Sequence, residues 1–211
     1  MATQTKTGIT VTDKPGTSWY RDFVQSPAAG VFAGLSRILL GFVFLWAFID
    51  KNWGLQFATP HGQGWVFGTG VGSPTYGFLK FGANPDSPLS AVYVNFANAA
   101  EGNPNAWTNW VFMAGLLGIG LALIFGVFMR IGTISAVVLL LMMWLAMSPF
   151  PWTNIVDPAT GQGAFNGPIL DDHIIYGTVL ITLMLMGAER HVGLGKWWQS
   201  LGFVKKMPWL A

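Results

Sequence analysis

Four long apolar segments with few charged residues dominate this sequence of 211 residues. They extend over residues 30–49, 107–128, 131–147 and 172–188. A helix needs about 17–25 mostly apolar residues to cross the roughly 30 Å hydrocarbon layer of a bilayer. Only 9% of the residues are charged, whereas soluble domains carry about a quarter. The sequence therefore predicts an all-α integral membrane protein, built as a bundle of four transmembrane helices.

The distribution of lysine and arginine predicts the orientation of this bundle. Cations are frequent in the N-terminal arm, in the link between the second and third spans and in the C-terminal tail: Lys6, Lys14, Arg21, Arg130, Arg190, Lys196, Lys205 and Lys206. Residues 51–106 hold only Lys51 and Lys80, and residues 148–170 hold none. By the positive-inside rule, both termini are cytoplasmic and these two loops are external. We expect the cytoplasmic (inner) membrane of a prokaryote.

The remaining segments complete the predicted organisation. Residues 1–29 form a cytoplasmic arm, residues 30–189 the membrane domain, and residues 190–211 a tail whose alternating rings and cations are typical of an interfacial helix. No short apolar run with a small-residue cleavage site follows the start, so the first segment is expected to remain as a helix. The long outer loop is rich in aromatic residues, which favours an ordered structure with a short helix near residues 88–100.

The composition excludes several kinds of site. The chain has no cysteine, so it supplies no thiolate for a disulfide, a nucleophile or an iron–sulfur cluster. Of its three histidines, His61 and His173 are predicted outside and His191 inside, so two axial histidines on facing helices are not available for a haem. We expect no metal, although a carboxylate–histidine site at Asp50, Asp171, Asp172 and His173 stays open as a minor alternative. No basic tract indicates nucleic acid.

Arg37 lies within the first span, and Lys51 follows its end. Arg37 lies about 10 Å into the span, at 1.5 Å per residue. It either snorkels to the inner surface or is buried with a carbonyl cage or counter-charge. The helical repeat places Lys51 within about 40° of the face that Arg37 occupies.

Small residues indicate where helices can approach closely. Gly118, Ala122 and Gly126 recur every four residues in the second span, together with Gly115, and Gly30 and Gly34 have the same spacing in the first. This register permits close packing within the bundle, and contacts in an oligomer would use the same pattern.

The last span carries two different faces. Asp171, Thr178, Thr182 and Glu189 follow one stripe, which could face Arg37 with Glu189 as its partner. Alternatively, the threonines bond carbonyls of their own helix and Glu189 is solvated. His173 lies on the opposite side with Tyr176 unless Asp171 or Asp172 is a non-helical cap. An N-cap role for these carboxylates accounts for the acidic pair but not for the histidine.

Two stretches resemble a known family. Arg37-Ile-Leu-Leu-Gly-Phe-Val-Phe-Leu-Trp-Ala-Phe-Ile-Asp-Lys51 and Asp172-His173-Ile-Ile-Tyr176 are similar to the recognisable patterns of DoxX/DoxD-like membrane proteins. The resemblance covers the four spans, about half of the chain, and implies a four-helix membrane fold. Its DoxD branch implies thiosulfate:quinone oxidoreductase activity, in which two thiosulfates form tetrathionate and reduce a membrane quinone. The residues that match the pattern are Arg37, Asp50, Lys51, Asp172, His173 and Tyr176.

Two functions are expected on these grounds. In the first, the chain is a quinone-linked redox enzyme, with quinone as a diffusible substrate. Lys51 would bind an anionic sulfur compound and Asp172 with His173 would manage quinone protons, while Arg37, Asp50, Tyr176, Trp46 and Trp53 would surround the substrate. In the second, the chain is a non-catalytic subunit of a larger membrane redox complex, with other membrane subunits or copies of itself as partners. A transporter has only Arg37 in its favour and lacks the expected broken helices and repeats.

Overall fold

A computed structural model describes residues 26–68, 72–148, 150, 152 and 169–210, and this part of the chain is all-helical. Five helices account for most of it: α1 (Pro27–Trp53), α2 (Ser90–Ala100), α3 (Trp107–Phe125), α4 (Met129–Met147) and α5 (Asp172–Leu185). A π-helical turn covers Phe78–Gly82. Two short helices, α6 (Gly195–Ser200) and α7 (Gly202–Lys206), lie between 3₁₀ turns at Ala188–Arg190 and Pro208–Leu210. The arm before residue 26 and most of the expected 148–170 loop lie outside the described residues.

Three of these helices are long and apolar enough to cross a membrane. α1 has 27 residues, and α3 and α4 have 19 each, which indicates a multi-pass membrane protein. α5 is apolar but has only 14 residues. It ends at Leu185, before the expected residue 188, because Gly187 adopts a left-handed conformation with φ 67° and the chain turns. α3 likewise ends at Phe125, since Gly126 has φ 73°.

The long helices pack side by side around one apolar core. α1 lies along α3, α4 contacts both α3 and α5, and α5 also touches α1. The core draws buried side chains from all four helices, among them Phe44, Met113, Leu140 and Leu180. Large apolar side chains on the outward faces stay exposed, as expected for surfaces that meet lipid.

Some of the expected small residues make close approaches, namely Gly34 with Val192 and Ala122 with Gly132 of α4, and α1 meets α3 at two glycines outside the expected spacing. A Cβ on Gly120 of α3 would lie 2.9 Å from the backbone nitrogen of Leu45, and one on Gly41 of α1 would lie 2.8 Å from Leu123 Cβ. Gly118 has no neighbour within 4 Å, so its predicted role in packing within the chain is wrong. A contact through Gly118 in an oligomer stays a prediction.

The tail folds back on the membrane domain. Trp198 donates from Nε1 to the carbonyl oxygen of Leu210 at 2.7 Å and packs with Val204, while Val127 contacts the same cluster. The expected single helix is instead two short helices, because Leu201 is extended between them (ψ 136°).

Candidate functional site

A cavity of about 570 Å³ lies between α3 and α4, at the end of the helices that holds Lys51. Its walls come from one face of each of these helices. Its roof is formed by the segment 74–79 and by Tyr93 and Phe96 of α2. The apolar lining comprises Pro74, Phe78, Leu79, Tyr93, Phe96, Trp107, Val111, Phe112, Gly115, Ile119, Ile134, Val138, Leu139, Met142 and Met143. We call this space the Lys51 cavity.

Lys51 supplies the one charge that the described residues contribute to this lining, and Thr75, Thr108 and Ser135 supply hydroxyl groups. Within the described residues, the Lys51 ammonium makes no salt bridge or side-chain hydrogen bond. Because an ammonium has three N–H donors and no acceptor, it can bind an oxygen of a ligand in the cavity. The expectation that Lys51 and Arg37 point to the same side is confirmed, since both side chains face α3.

Asp50, the neighbour of Lys51, fixes the chain that leaves α1. Its buried carboxylate accepts backbone N–H groups of Leu55 at 3.2 Å, Phe57 at 3.3 Å and Ala58 at 3.0 Å. The carboxylate therefore holds a loop against the end of α1, while Trp65 donates its backbone N–H to the Lys51 carbonyl at 2.8 Å. Asp50 does not line the Lys51 cavity.

Asn109 anchors the roof of the cavity, a role that was not predicted from the sequence. Its fully buried Oδ1 accepts from Thr75 Oγ1 at 2.6 Å, Thr75 N at 3.2 Å and Ser73 Oγ at 3.1 Å. Its Nδ2 donates to the carbonyl oxygens of Asn103 and Pro104. This single side-chain amide therefore hydrogen-bonds to two loop segments, residues 73–75 and residues 103–104, beside the start of α3. An asparagine just inside an apolar helix was the signal available in the sequence.

Two more hydrogen bonds attach the roof to α4, one from α2 and one from the segment that leads into α2. The Tyr93 hydroxyl donates to the Met142 carbonyl at 2.8 Å, and Ser87 Oγ donates to Leu145 O at 2.7 Å. Burial raises the pKa of the Tyr93 phenol, so this group remains a neutral donor at physiological pH. The roof is therefore attached to both walls.

Gly115 leaves room for the cavity. It lies in the α3 wall, and a Cβ there would have no neighbour within 4 Å. Val111, Ile134 and Val138 are lining residues that are also exposed on the outer surface. The cavity therefore opens sideways between α3 and α4, on a surface suited to hydrocarbon.

The triplet at the start of α5 forms a separate cluster. Asp171 caps the helix through Oδ1, which accepts from Ile174 N at 3.2 Å, so the expected cap is confirmed. Its Oδ2 lies 2.8 Å from His173 Nδ1, and Asp172 Oδ1 lies 3.3 Å from the same nitrogen. Potential ligand atoms of the three side chains lie within 4.8 Å of one another. Capping and the histidine contact already account for this arrangement.

Among the described residues, no hydrogen bond or salt bridge connects this cluster to Lys51. Asp172 has 65% of its side chain exposed and His173 has 12%, and neither lines the Lys51 cavity. Tyr176 packs against the helix core. The expected aromatic residues also lie elsewhere: Trp46 packs edge-on against Phe57, and Trp53 stacks on Phe67.

Arg37 is at the opposite end of the helices, which we call the Pro27 end. Its side chain is 0% exposed and donates to the carbonyl oxygens of Leu123 and Val192. Arg37 is therefore buried with carbonyl partners, as one alternative predicted, and the alternative in which it snorkels to the surface is wrong. Glu189 is also buried and lies beside Arg37 across Gly126, so the alternative of a solvated Glu189 is wrong. Thr178 and Thr182 bond carbonyls of their own helix, as one alternative predicted.

In comparisons with protein-family models, curated proteins and solved structures, no match to this chain was found.

Proposed function

We propose that this chain is a quinone-linked membrane redox protein that binds the quinone head group in the Lys51 cavity. The observation that carries the proposal is a lysine ammonium without a salt bridge among the described residues, at the end of an aromatic-lined apolar cavity. Small-molecule sites typically enclose about 300–1,000 Å³ and combine an apolar lining with a few polar groups that fix orientation. An isoprenoid quinone has the matching parts, namely carbonyl acceptors, a flat ring and an apolar tail.

Each part of the ligand has a place in this proposal. One quinone carbonyl accepts a hydrogen bond from Lys51, the ring lies among Phe78, Phe96 and Phe112, and the tail leaves between α3 and α4. The hydroxyl of Thr108 is a further donor near the roof, whereas the Thr75 hydroxyl already donates to Asn109. A thiosulfate dianion fits this space less well, because its second charge would be desolvated without a partner. We therefore assign Lys51 to the quinone, and the thiosulfate donor rests on the family resemblance alone.

The proposed redox step transfers two electrons. Two thiosulfates release these electrons on forming tetrathionate, and the quinone takes up two electrons and two protons to become a quinol. Lys51 stabilises the negative charge that develops on the reduced oxygen and offers it a proton. His173 and its partner Asp171 lie at the same end of the helices as Lys51 but outside the cavity lining. We propose that this pair exchanges protons with solvent.

The membrane arrangement in this proposal is a four-helix bundle with α5 as the fourth span. α5 lies against α4 and α1, and the chain beyond it returns to α1, where Val192 contacts Gly34. Arg130 lies at the start of α4, and Arg190, Lys196 and Lys205 lie in the segment after α5, all toward the Pro27 end. By the positive-inside rule this end is cytoplasmic, which places the Lys51 cavity toward the outer side of a prokaryotic inner membrane.

Quinone binding by the purified protein in lipid nanodiscs tests the proposal. A short-chain quinone should bind, and Lys51→Met should weaken binding about tenfold or more, as expected for loss of a hydrogen bond from a charged donor. Gly115→Leu should fill the cavity and block binding. Gly118→Leu is the matched control, since Gly118 is equally unobstructed but lies outside the lining. Absence of binding by the unmodified protein would overturn the proposal.

The alternative is a non-catalytic subunit of a larger membrane redox complex. It is favoured by aromatic side chains that remain exposed near the Lys51 end, namely Phe57, Phe67 and Phe81, because aromatic residues are enriched at protein interfaces. Adding thiosulfate to the quinone-loaded protein distinguishes the enzyme hypothesis from the subunit hypothesis. Quinol formation by the isolated chain supports the enzyme, whereas binding without turnover and co-purification of a stoichiometric partner support the subunit.

A further inference from the structure

The loop that follows α1, residues 54–59, begins beside α3 and not beyond its start. α1 and α3 run antiparallel, and Leu45 lies against Gly120. Counted from this contact, α1 ends at Trp53 after eight residues, whereas the start of α3 at Trp107 is thirteen residues away. α1 therefore ends about five residues, roughly 7 Å, short of the level at which α3 starts.

This difference in level sets the depth at which the loop begins. α3 has 19 residues, which is close to the minimum length that crosses the roughly 30 Å hydrocarbon layer. A crossing therefore uses the whole length of α3, and the first turns of α3 lie within the layer. A loop that leaves α1 level with these turns meets lipid wherever protein does not cover it.

Every backbone N–H from Gly54 to Ala58 donates to an acceptor within the protein. Gly54 donates to the Asp50 carbonyl at 2.7 Å, and Gln56 donates to the Thr59 carbonyl at 3.0 Å. The Asp50 carboxylate accepts from the other three. An exposed loop in water can leave such groups to solvent, whereas hydrocarbon offers them no partner. Internal pairing of five consecutive N–H groups is therefore what a loop in the membrane requires.

The exposed side chains of this loop continue the apolar outer surface of α1. Phe57 is 74% exposed and Leu55 is 40% exposed. The Phe57 ring packs edge-on against Trp46 with centroids 5.1 Å apart, and Trp46 in turn contacts the half-exposed Phe42. Trp46 lies seven residues before the end of α1, about 10 Å back along the helix. The loop therefore folds back along α1 and places Phe57 beside side chains that face lipid.

We propose that the loop of residues 54–59 is inserted into the leaflet at the Lys51 end, with Leu55 and Phe57 among the acyl chains. Asp50 permits this position, because its carboxylate pairs three amides that lipid would leave without an acceptor. A protein partner over Phe57 is the competing occupant, and it would have to displace lipid from the outer face of α1 as well. The loop contributes no residue to the Lys51 cavity, so this inference is independent of the quinone proposal.

Spin-label accessibility of the full-length protein in lipid nanodiscs tests this placement, and the chain has no native cysteine to interfere. A label on Phe57→Cys should collide often with oxygen, which dissolves in hydrocarbon, and rarely with a water-soluble nickel chelate. Leu141→Cys is the hydrocarbon reference, since Leu141 is exposed on α4 outside the Lys51 cavity. Asp86→Cys, at an exposed carboxylate, is the aqueous reference. The oxygen-to-nickel ratio at position 57 should match that at position 141 and exceed that at position 86 several-fold.

Two other results at position 57 would overturn the proposal. Frequent collisions with nickel would place the loop in water, and few collisions with either reagent would show that protein covers it. Adding Asp50→Ala to Phe57→Cys should release the loop and raise nickel accessibility toward the aqueous reference. Asp172→Ala, which removes a largely exposed carboxylate of the α5 cluster, is the matched control and should change nothing. Unchanged accessibility in Asp50→Ala would contradict the role assigned to Asp50, whereas the placement of the loop is decided without that variant.

Discussion

Asp171 Oδ2 lies 2.8 Å from His173 Nδ1, while Oδ1 of the same carboxylate accepts from the backbone N–H of Ile174. One side chain therefore both caps α5 and orients the histidine. This is possible because Asp171 is extended (φ −132°, ψ −175°) and does not follow the helical stripe. The interpretation that Asp172 is the main partner of His173 needs correction, since Asp171 is the nearer carboxylate.

Replacement of Asp171 should destabilise the protein more than replacement of its neighbour. Asp171→Ala removes the cap and should lower the free energy of unfolding by about 1 kcal/mol, the usual value for an N-cap. Asp172→Ala should have a smaller effect, because that side chain is largely exposed. Chemical unfolding in detergent, followed by circular dichroism, measures both. Equal losses would contradict the capping role.

Arg37 should be essential for the stability of the Pro27 end of the helices. Arg37→Met leaves two carbonyl oxygens without their donor and leaves buried Glu189 with only the exposed Arg190 as a cation, so the expected loss is about 3 kcal/mol or more. Adding Glu189→Gln should recover part of this loss, because the uncompensated charge disappears. A double-mutant cycle on unfolding free energies measures the coupling. Strict additivity would show that the two groups do not interact.

Gly120 should tolerate no side chain, in contrast to Gly118 two residues earlier on α3. A Cβ at position 120 would meet the backbone of Leu45 at 2.9 Å, so Gly120→Ala should push α1 from α3 at a cost of about 1–3 kcal/mol. Gly118→Ala meets no atom within 4 Å and should be neutral or stabilise by up to about 1 kcal/mol through helix propensity. Thermal unfolding of both variants in the same detergent tests the contrast.

The Tyr76 phenol should titrate above its ordinary pKa of about 10. Its hydroxyl donates to Glu101 Oε1 at 2.8 Å, and this hydrogen bond, with smaller contributions from burial and the carboxylate charge, raises the pKa of Tyr76. Because the folded pKa is raised, the contribution to stability is complete below about pH 10 and is lost as the pH rises through the folded pKa.

Tyrosinate absorbance of the protein and of Glu101→Gln measures this effect, with Tyr76→Phe identifying the signal. Glu101→Gln should return the Tyr76 transition toward lower pH. An unchanged transition would show that the hydrogen bond does not control the titration.

The long helices were predictable from sequence because apolar length alone decides whether a segment can span a bilayer. The start of α3 at Trp107, the end of α4 at Met147 and the short helix α2 agree with the prediction. The ends at Phe125 and Leu185 differ, since Gly126 and Gly187 take left-handed conformations that apolar periodicity does not reveal.

The cavity between α3 and α4 could not be predicted in the same way. α3 and α4 are apolar on nearly all sides, so their sequences do not indicate which face is buried, lipid-facing or cavity-lining. The Lys51 cavity also depends on contacts between distant parts of the chain, such as Asn109 with Thr75 and Tyr93 with Met142. Lys51 was identified as a candidate from its position, whereas its separation from His173 results from the packing of α5 against α4.

The sideways opening between α3 and α4 determines how a ligand is supplied. If the Lys51 cavity binds a quinone as proposed, that molecule reaches Lys51 from the bilayer by lateral diffusion and never has to cross the polar head-group layer. Occupancy of the cavity therefore follows the mole fraction of that molecule among the lipids, and its concentration in water has no direct effect. The affinity for the proposed quinone should therefore be expressed relative to the membrane lipids.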